Sequence, residues 1–365
     1  MSNIRQRNAF GYNLTAERVA ICRYSKRIAA FFIALLMASP AFAQTSDGGY
    51  AEAYLFRNVG ARAISMAGAY SAIVNEPTAI FYNPAGVGFF GPEPMVSTGV
   101  SILSLGRTQS TIAWGQEVYD RIGLGFGINS FNSGSFEARD AMGHSYGEYS
   151  NWQYAISAVA AYRQEFASIG VGLKYLTNNL IGSQYYGDGF AIDVGTKFNV
   201  LDMFSVGVAV QNLSGMMMWN NPAESTEMIP YTVRAGVAME YGLNDEVYTT
   251  RSTATGEIEQ VYVPATRYVL VGIDAVLTQH EPAPTFVLGV EAAAHEMIVF
   301  RGGISLYGSK MGESQLFPMT YWGAGASIRP EIENLPFRMH LDYSVSNEYV
   351  SISGISHNLS LMFAF

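Results

Sequence analysis

One acid–histidine pair and one glycine run are the places in this sequence where types and spacing could support chemistry. His340 and Asp342 lie two residues apart in an alternating segment, so their side chains share a face, as a metal or acid–base pair would. A lumen-facing polar ladder is the favoured account of them. Gly86-Val87-Gly88-Phe89-Phe90-Gly91 spells a dinucleotide-binding glycine pattern. It follows no strand pattern, opens no helix pattern and runs into Pro92-Glu93-Pro94, so a turn is expected there instead. A third cluster, Met216-Met217-Met218-Trp219, has the adaptable apolar character of a contact surface or of a loop packed over a mouth. No nucleophile–base–acid order and no metal-ligand spacing stands out. The expectation is a protein that is not an enzyme, with no catalytic residue, metal or cofactor.

Strands are the elements that would have to position such residues. Aromatics make up 13% of the 365 residues, with 23 Tyr, 21 Phe and 37 Gly, whereas charged residues make up only 14%. That mixture favours strands and tight turns. From Met95 onward, segments of about ten residues alternate apolar and polar, the length and period of a membrane-crossing strand. Fourteen are expected: Met95–Leu105, Thr108–Gln116, Arg121–Ser130, Tyr154–Arg163, Ser168–Asn178, Gly189–Asn199, Phe204–Gln211, Tyr231–Tyr241, Thr266–Leu277, Thr285–Ala293, Met297–Leu306, Thr320–Arg329, Phe337–Ser346 and Ser356–Phe365. The even number suits a barrel with both ends in the periplasm. The last segment places Leu359, Leu361, Phe363 and Phe365 on one face, and resembles the C-terminal assembly signal of outer-membrane barrels.

Charge sorts the two faces. A lipid-facing Arg or Lys at the membrane midplane costs about 2–4 kcal/mol, so the charged face must look inward. The expected lumen ladder is Lys174, Asp193, Lys197, Arg234, Glu240, Asp274, Glu291, Arg301, Arg338, His340 and Asp342. Long connections at Phe131–Gln153 and Asn212–Pro230 fall on the external side. Gly242–Ala265 falls on the periplasmic side, either as a hairpin extension of Glu246–Ser252 with Glu257–Val263 or as a break in register.

The N-terminus reads as an export signal. Lys26 and Arg27 precede an apolar run, Ile28 to Met37, and then Ala41-Phe42-Ala43, with cleavage expected after Ala43. Met1 to Tyr24 carries no structural expectation. Cleavage removes the sole cysteine, Cys22, excluding disulfides and thiolate chemistry. Removing six basic and one acidic residue from 21 and 30 leaves 15 and 29, a net charge of about −14 that offers nothing to nucleic acid. The expected divisions are 1–43 signal peptide, 44–94 hatch or plug, and 95–365 barrel.

Residues 44–94 lack the strand pattern. Asn58 to Tyr70 includes Gly60-Ala61-Arg62-Ala63 and Ser65-Met66-Ala67-Gly68-Ala69, and then come Asn75-Glu76-Pro77 and Asn83-Pro84-Ala85-Gly86. These paired segments resemble the start of the PorV/PorQ family within the FadL-like superfamily of outer-membrane proteins. Gln211-Asn212-Leu213, the run Pro230 to Gly236, and Arg301-Gly302-Gly303 extend the resemblance over nearly the whole mature chain. It implies an all-β membrane protein, a 14-stranded antiparallel outer-membrane β-barrel with a small, partly helical N-terminal hatch whose local motif is Asn83, Pro84, Ala85 and Gly86. The usual Gly-Met-Gly-Gly-Ala and acidic-pair patterns are altered in the hatch. Outer-membrane lipids are the expected surroundings. The resemblance implies binding the C-terminal signal domains of type IX secretion cargo, together with other secretion components, through the external loops. The other expectation is passive transport of hydrophobic small molecules. Charged inner walls tilt the sequence reading towards secretion.

Overall fold

A computed structural model describes residues 51–200, 203–221, 223–244, 246–251, 258–263, 265–307, 319–330, 337–348 and 354–365. The expected signal peptide lies outside the described residues. Seventeen strands are described: β1 (Met95–Ile102), β2 (Thr108–Tyr119), β3 (Ile122–Arg139), β4 (Ser145–Gln164), β5 (Ala167–Ile181), β6 (Tyr186–Asn199), β7 (Phe204–Trp219), β8 (Thr226–Met228), β9 (Thr232–Gly242), β10 (Glu246–Arg251), β11 (Ile258–Val263), β12 (Tyr268–Thr278), β13 (Thr285–His295), β14 (Ile298–Tyr307), β15 (Met319–Ile328), β16 (Arg338–Asn347) and β17 (Ile355–Ala364). All pairings are antiparallel, and all strands but β8, β10 and β11 have a neighbour on both sides. The fourteen close into a ring where β1 meets β17, Met95 opposite Ala364 and Ile102 opposite His357. Each of the fourteen segments expected from alternation coincides with one of these strands.

Closure follows from the solvent. Strands in hydrocarbon must leave no unpaired backbone, and only a closed ring achieves this. The outer face carries Ile112, Phe126, Leu173, Val237, Ile273, Leu288, Phe300 and Leu359, all exposed. The inner face carries Ser, Thr, Asn and the charged residues, for example Asn358 and Ser360 on β17. A closed ring with an apolar outer face is the architecture of a barrel that crosses a membrane by strands. The end bearing Met95 and Phe365 has the tightest turns, at Arg121 and Glu165, both with positive φ, and is therefore the periplasmic end.

Two expected loops are instead wall. Residues 131–153 continue the β3–β4 ladder up to a turn at 140–144, because pairing above the membrane needs no apolar face. In 212–230, β7 runs on to Trp219 and β8 folds back beside it. Two register shifts against β6, with Asn212 and Ser214 at positive φ, interrupt the alternation after Gln211 and hide this extension from the sequence. Gly242–Ala265 does contain a two-stranded hairpin, β10 with β11, separate from the ring.

The segment from Ala51 to Pro94 fills the lumen. It comprises a 3₁₀ turn at Ala53–Phe56, helix α1 (Ala61–Ser65), and 3₁₀ turns at Pro77–Phe81 and Pro84–Phe89. Its Met66, Tyr70, Ile80, Tyr82 and Val87 form a buried core with the wall's Ala113, Val159, Ala161 and Leu270.

Candidate functional site

The hatch touches the wall backbone to backbone. A Cβ added at Gly123 would collide with the Val87 carbonyl, at Gly170 with Pro84 and Ala85, at Gly207 with Ser71, at Gly303 with Met66, and at Gly323 with Ile64. Glycine in a strand interior commonly marks such an approach. The expected hatch motif lies inside this belt. Pro84 starts a 3₁₀ turn, and the Asn83 side chain caps it by accepting from the Ala85 N–H at 3.1 Å. The same side chain donates to the Ser71 and Thr196 carbonyls, both at 3.0 Å, and so ties the hatch to β6. Ala85 and Gly86 are fully enclosed. The glycine run from Gly86 to Gly91 is this turn and its exit to β1, not a strand-to-helix turn.

Much of the expected charged ladder meets the hatch rather than itself. Glu291 on β13 is fully buried and takes two hydrogen bonds from Arg62 of α1, at 2.8 and 2.9 Å, one from Tyr268 at 2.6 Å and one from Arg301. Arg301 passes on to Asp342 at 2.8 Å, and Ser327 also donates to that carboxylate. Arg62 reaches back to Asn75 at 2.6 Å and Glu76 at 3.4 Å. Asp274 on β12 receives the Tyr70 and Ser71 backbone N–H groups at 3.1 and 2.9 Å. Lys197 donates to the Ile73 carbonyl at 3.1 Å, and Arg234 donates to Gln211 at 3.0 Å and stands 5.3 Å from the Tyr82 ring. Lys174 and Asp193 pair at 2.8 Å, and both hold Asn212 at the β7 bulge.

Three members of the ladder stand apart. Glu240 and Arg338 are exposed at the periplasmic ends of β9 and β16. His340 is half-buried, and its neighbour Asp342 is engaged by Arg301 and Ser327. Among the described residues, no group of three or more His, Cys, Asp or Glu is placed to hold a metal ion.

Arg62, Glu76 and Tyr268 are the partners that sequence reasoning missed. Arg62 stands in a segment notable for small residues, and a single long cation among alanines was the available signal.

Above the hatch, at the external mouth, lies a cavity of about 600 Å³. Its lining combines Tyr54, Phe56, Phe131, Trp219, Val276 and Val287 with Glu52, Arg57, Arg107, Asn178 and Glu227. Tyr54 stacks on Phe131 with ring centroids 6.2 Å apart. Glu52 is 3% exposed; its carboxylate accepts from Asn178 at 2.8 Å and from Gln153 at 3.5 Å. Burial pushes this carboxyl up to about 7, against the Asn178 hydrogen bond and with help from nearby Glu227.

The methionine run divides between two environments. Because it is strand, not loop, Met217 and Trp219 turn inward, and Met216 and Met218 outward. Met217 is fully buried beside Tyr54 and Leu176 beneath the cavity. The run is therefore not a continuous external contact surface.

No family model and no curated protein matches the chain. Solved structures do. The Pseudomonas putida toluene transporter TodX aligns with a TM-score of 0.52 at 11% identity, over 89% of this chain and 99% of its own. The CymD monoaromatic hydrocarbon channel aligns at 0.52 and 14%, over 84% of this chain and 97% of its own. A Pseudomonas aeruginosa FadL homologue aligns at 0.51 and 10%, over 87% and 99%. At such identities the likeness is one of fold, a closed 14-stranded antiparallel barrel.

Proposed function

We propose that this protein is a passive channel for small hydrophobic compounds crossing the outer membrane. The observation that carries this reading is the external cavity, lined by aromatic and aliphatic side chains and floored by the hatch. Ligand sites characteristically measure about 300–1,000 Å³, mostly apolar with a few placed polar groups, and the cavity has that character. The barrel likeness to TodX and CymD supports the same reading, since those proteins are described as a toluene transporter and a monoaromatic hydrocarbon channel. The preference for type IX cargo binding is accordingly reversed. It rested on charged walls suited to a sealed lumen, and those charges are largely spent on holding the hatch. PorV/PorQ membership and secretion partners draw no support from these neighbours.

The test is initial-rate uptake of radiolabelled naphthalene by intact cells with and without the barrel, and with Trp219→Arg in the cavity. Uptake is expected to fall several-fold in both altered strains. Equal initial rates in all three would end the channel reading.

A further inference from the structure

The outer face of the barrel changes character at the external ends of β4, β5 and β6. Gln153 on β4 and Asn178 on β5 point into the lumen, where both donate to Glu52. Trp152 and Tyr154, and Thr177 and Asn179, beside them on the two strands, therefore point out. Strand register sets the outward residues in rows. Ala158, Leu173 and Ile192 stand side by side, and above them Ile156, Tyr175 and Phe190. The next row is Tyr154, Thr177 and Asp188, and the top row is Trp152, Asn179 and Tyr186. Cross-strand neighbours have Cβ atoms about 4.5–5.5 Å apart, so each row is one continuous surface. The two lower rows are aliphatic and aromatic, as hydrocarbon demands. The two upper rows mix rings with hydrogen-bonding groups, the composition of the headgroup level.

A groove of about 360 Å³ opens on the top row. The Trp152 and Tyr154 rings in its lining are nearly parallel, with centroids 6.0 Å apart. Ser183, Gln184 and Tyr185 of the β5–β6 turn complete it. Asn179, Gln184, Tyr185 and Tyr186 are exposed, so an occupant reaches them without any movement of the wall. No lining side chain is charged. A phosphate would find no cation there, and Asp188, one row below, is taken by the Tyr175 hydroxyl at 2.6 Å. An acyl chain would leave the amides of Asn179 and Gln184 unmatched. A sugar meets both demands. Its hydroxyls donate and accept, as amides do, and its C–H groups suit the negative faces of aromatic rings. Because the groove runs on into the lipid-facing rows, the sugar it fits is one carried on a lipid. Resting on the outer-membrane placement and not on transport, we infer that the external end of β4–β6 is a docking groove for the sugar headgroup of an outer-leaflet glycolipid, whose acyl chains lie along Ile156 and Leu173.

Digalactosyl dioleoylglycerol and dioleoylphosphatidylcholine share their acyl chains and differ in headgroup. Native mass spectrometry of the full barrel, in detergent with equal amounts of the two, reads which lipid is retained. Retention is expected to favour the glycolipid about fivefold, the scale of one net hydrogen bond. Trp152→Ala with Tyr186→Ala, and separately Asn179→Leu, should bring the ratio towards one. Phe286→Ala, which removes an exposed ring from the external end of β13, should leave it unchanged. Heat-modifiable migration on gels reports whether each variant retains its barrel. Equal retention of the two lipids, a preference for phosphatidylcholine, or an advantage untouched in the folded groove variants overturns the inference. So does an equal loss with Phe286→Ala, which would make the preference a property of any rim aromatic. Free digalactose held as firmly as the glycolipid would overturn the lipid as carrier of the sugar.

Discussion

The Arg62 guanidinium grips the Glu291 carboxylate through two hydrogen bonds, Nε to Oε2 at 2.8 Å and Nη2 to Oε1 at 2.9 Å. One residue belongs to the hatch and the other to β13, so this pair is a bolt between plug and wall. Bidentate geometry makes it directional as well as strong. Glu291 is fully buried, and losing one partner of such a pair leaves a charge without compensation.

Arg62→Met is expected to loosen the plug. Breaking a buried pair costs about 3–5 kcal/mol, and Arg301, still beside Glu291, places the effect at the low end of that range. Conductance in planar bilayers should rise, and the thermal midpoint of the folded band on gels should drop. Adding Glu291→Gln should recover part of the loss by removing the orphaned charge. A conductance equal to that of the parent would show that this bolt does not hold the hatch.

Two adjacent glycines on β14 give an internally controlled test of the wall contact. A Cβ at Gly303 would meet the Met66 backbone, whereas one at Gly302 meets nothing within 4 Å. Gly303→Ala should make the hatch accessible to added protease in folded barrels, and Gly302→Ala should not. Identical digestion of the two would remove the steric argument for a tightly seated plug.

Glu52 should give the mouth a pH-dependent stability. Its midpoint is raised from 4.5 to about 7, so the folded form holds the proton more tightly than the unfolded form. Its contribution is full below about pH 4.5 and is lost as pH rises through about 7. Thermal midpoints recorded from pH 5 to 8 should therefore decline more steeply in the parent than in Glu52→Gln. Parallel profiles would mean that Glu52 ionises in the fold as it does in water.

Asn83→Ala removes the cap on Ala85 and leaves the Ser71 and Thr196 carbonyls without this donor. A lost Asn cap costs about 1 kcal/mol, and each orphaned buried group adds about as much again. Hydrogen exchange should accelerate by about tenfold or more at the Ala85 and Gly86 amides, with the β2–β3 ladder unchanged. Uniform acceleration across the barrel would instead assign Asn83 a global role.

The ring was legible because lipid imposes a rule on every second residue. Asp193 and Lys197 against Phe190 and Val194 on β6, or Asn358 and Ser360 against Leu359 and Leu361 on β17, cannot be exchanged without putting polarity into hydrocarbon. Where lipid ends, that rule lapses. The upper reaches of β3, β4 and β7 pair without alternating cleanly, so they read as loops, and Met216 to Trp219 went with them. Inside the barrel, facing direction was recoverable but partnership was not. Arg301 and Asp342 could be placed in the lumen from β14 and β16 alone. That Glu291 would turn to Arg62, 229 positions away, depends on the path of a hatch with no periodic signal of its own.

The bare wall positions also bear on how such proteins diverge. At Gly170, Gly207 and Gly303, what approaches the strand is hatch main chain, not a hatch side chain. The mould therefore records a trace, not a set of letters. Side chains along the hatch can drift at little cost while its course through the lumen stays fixed, so the shape of the plug can outlast its spelling.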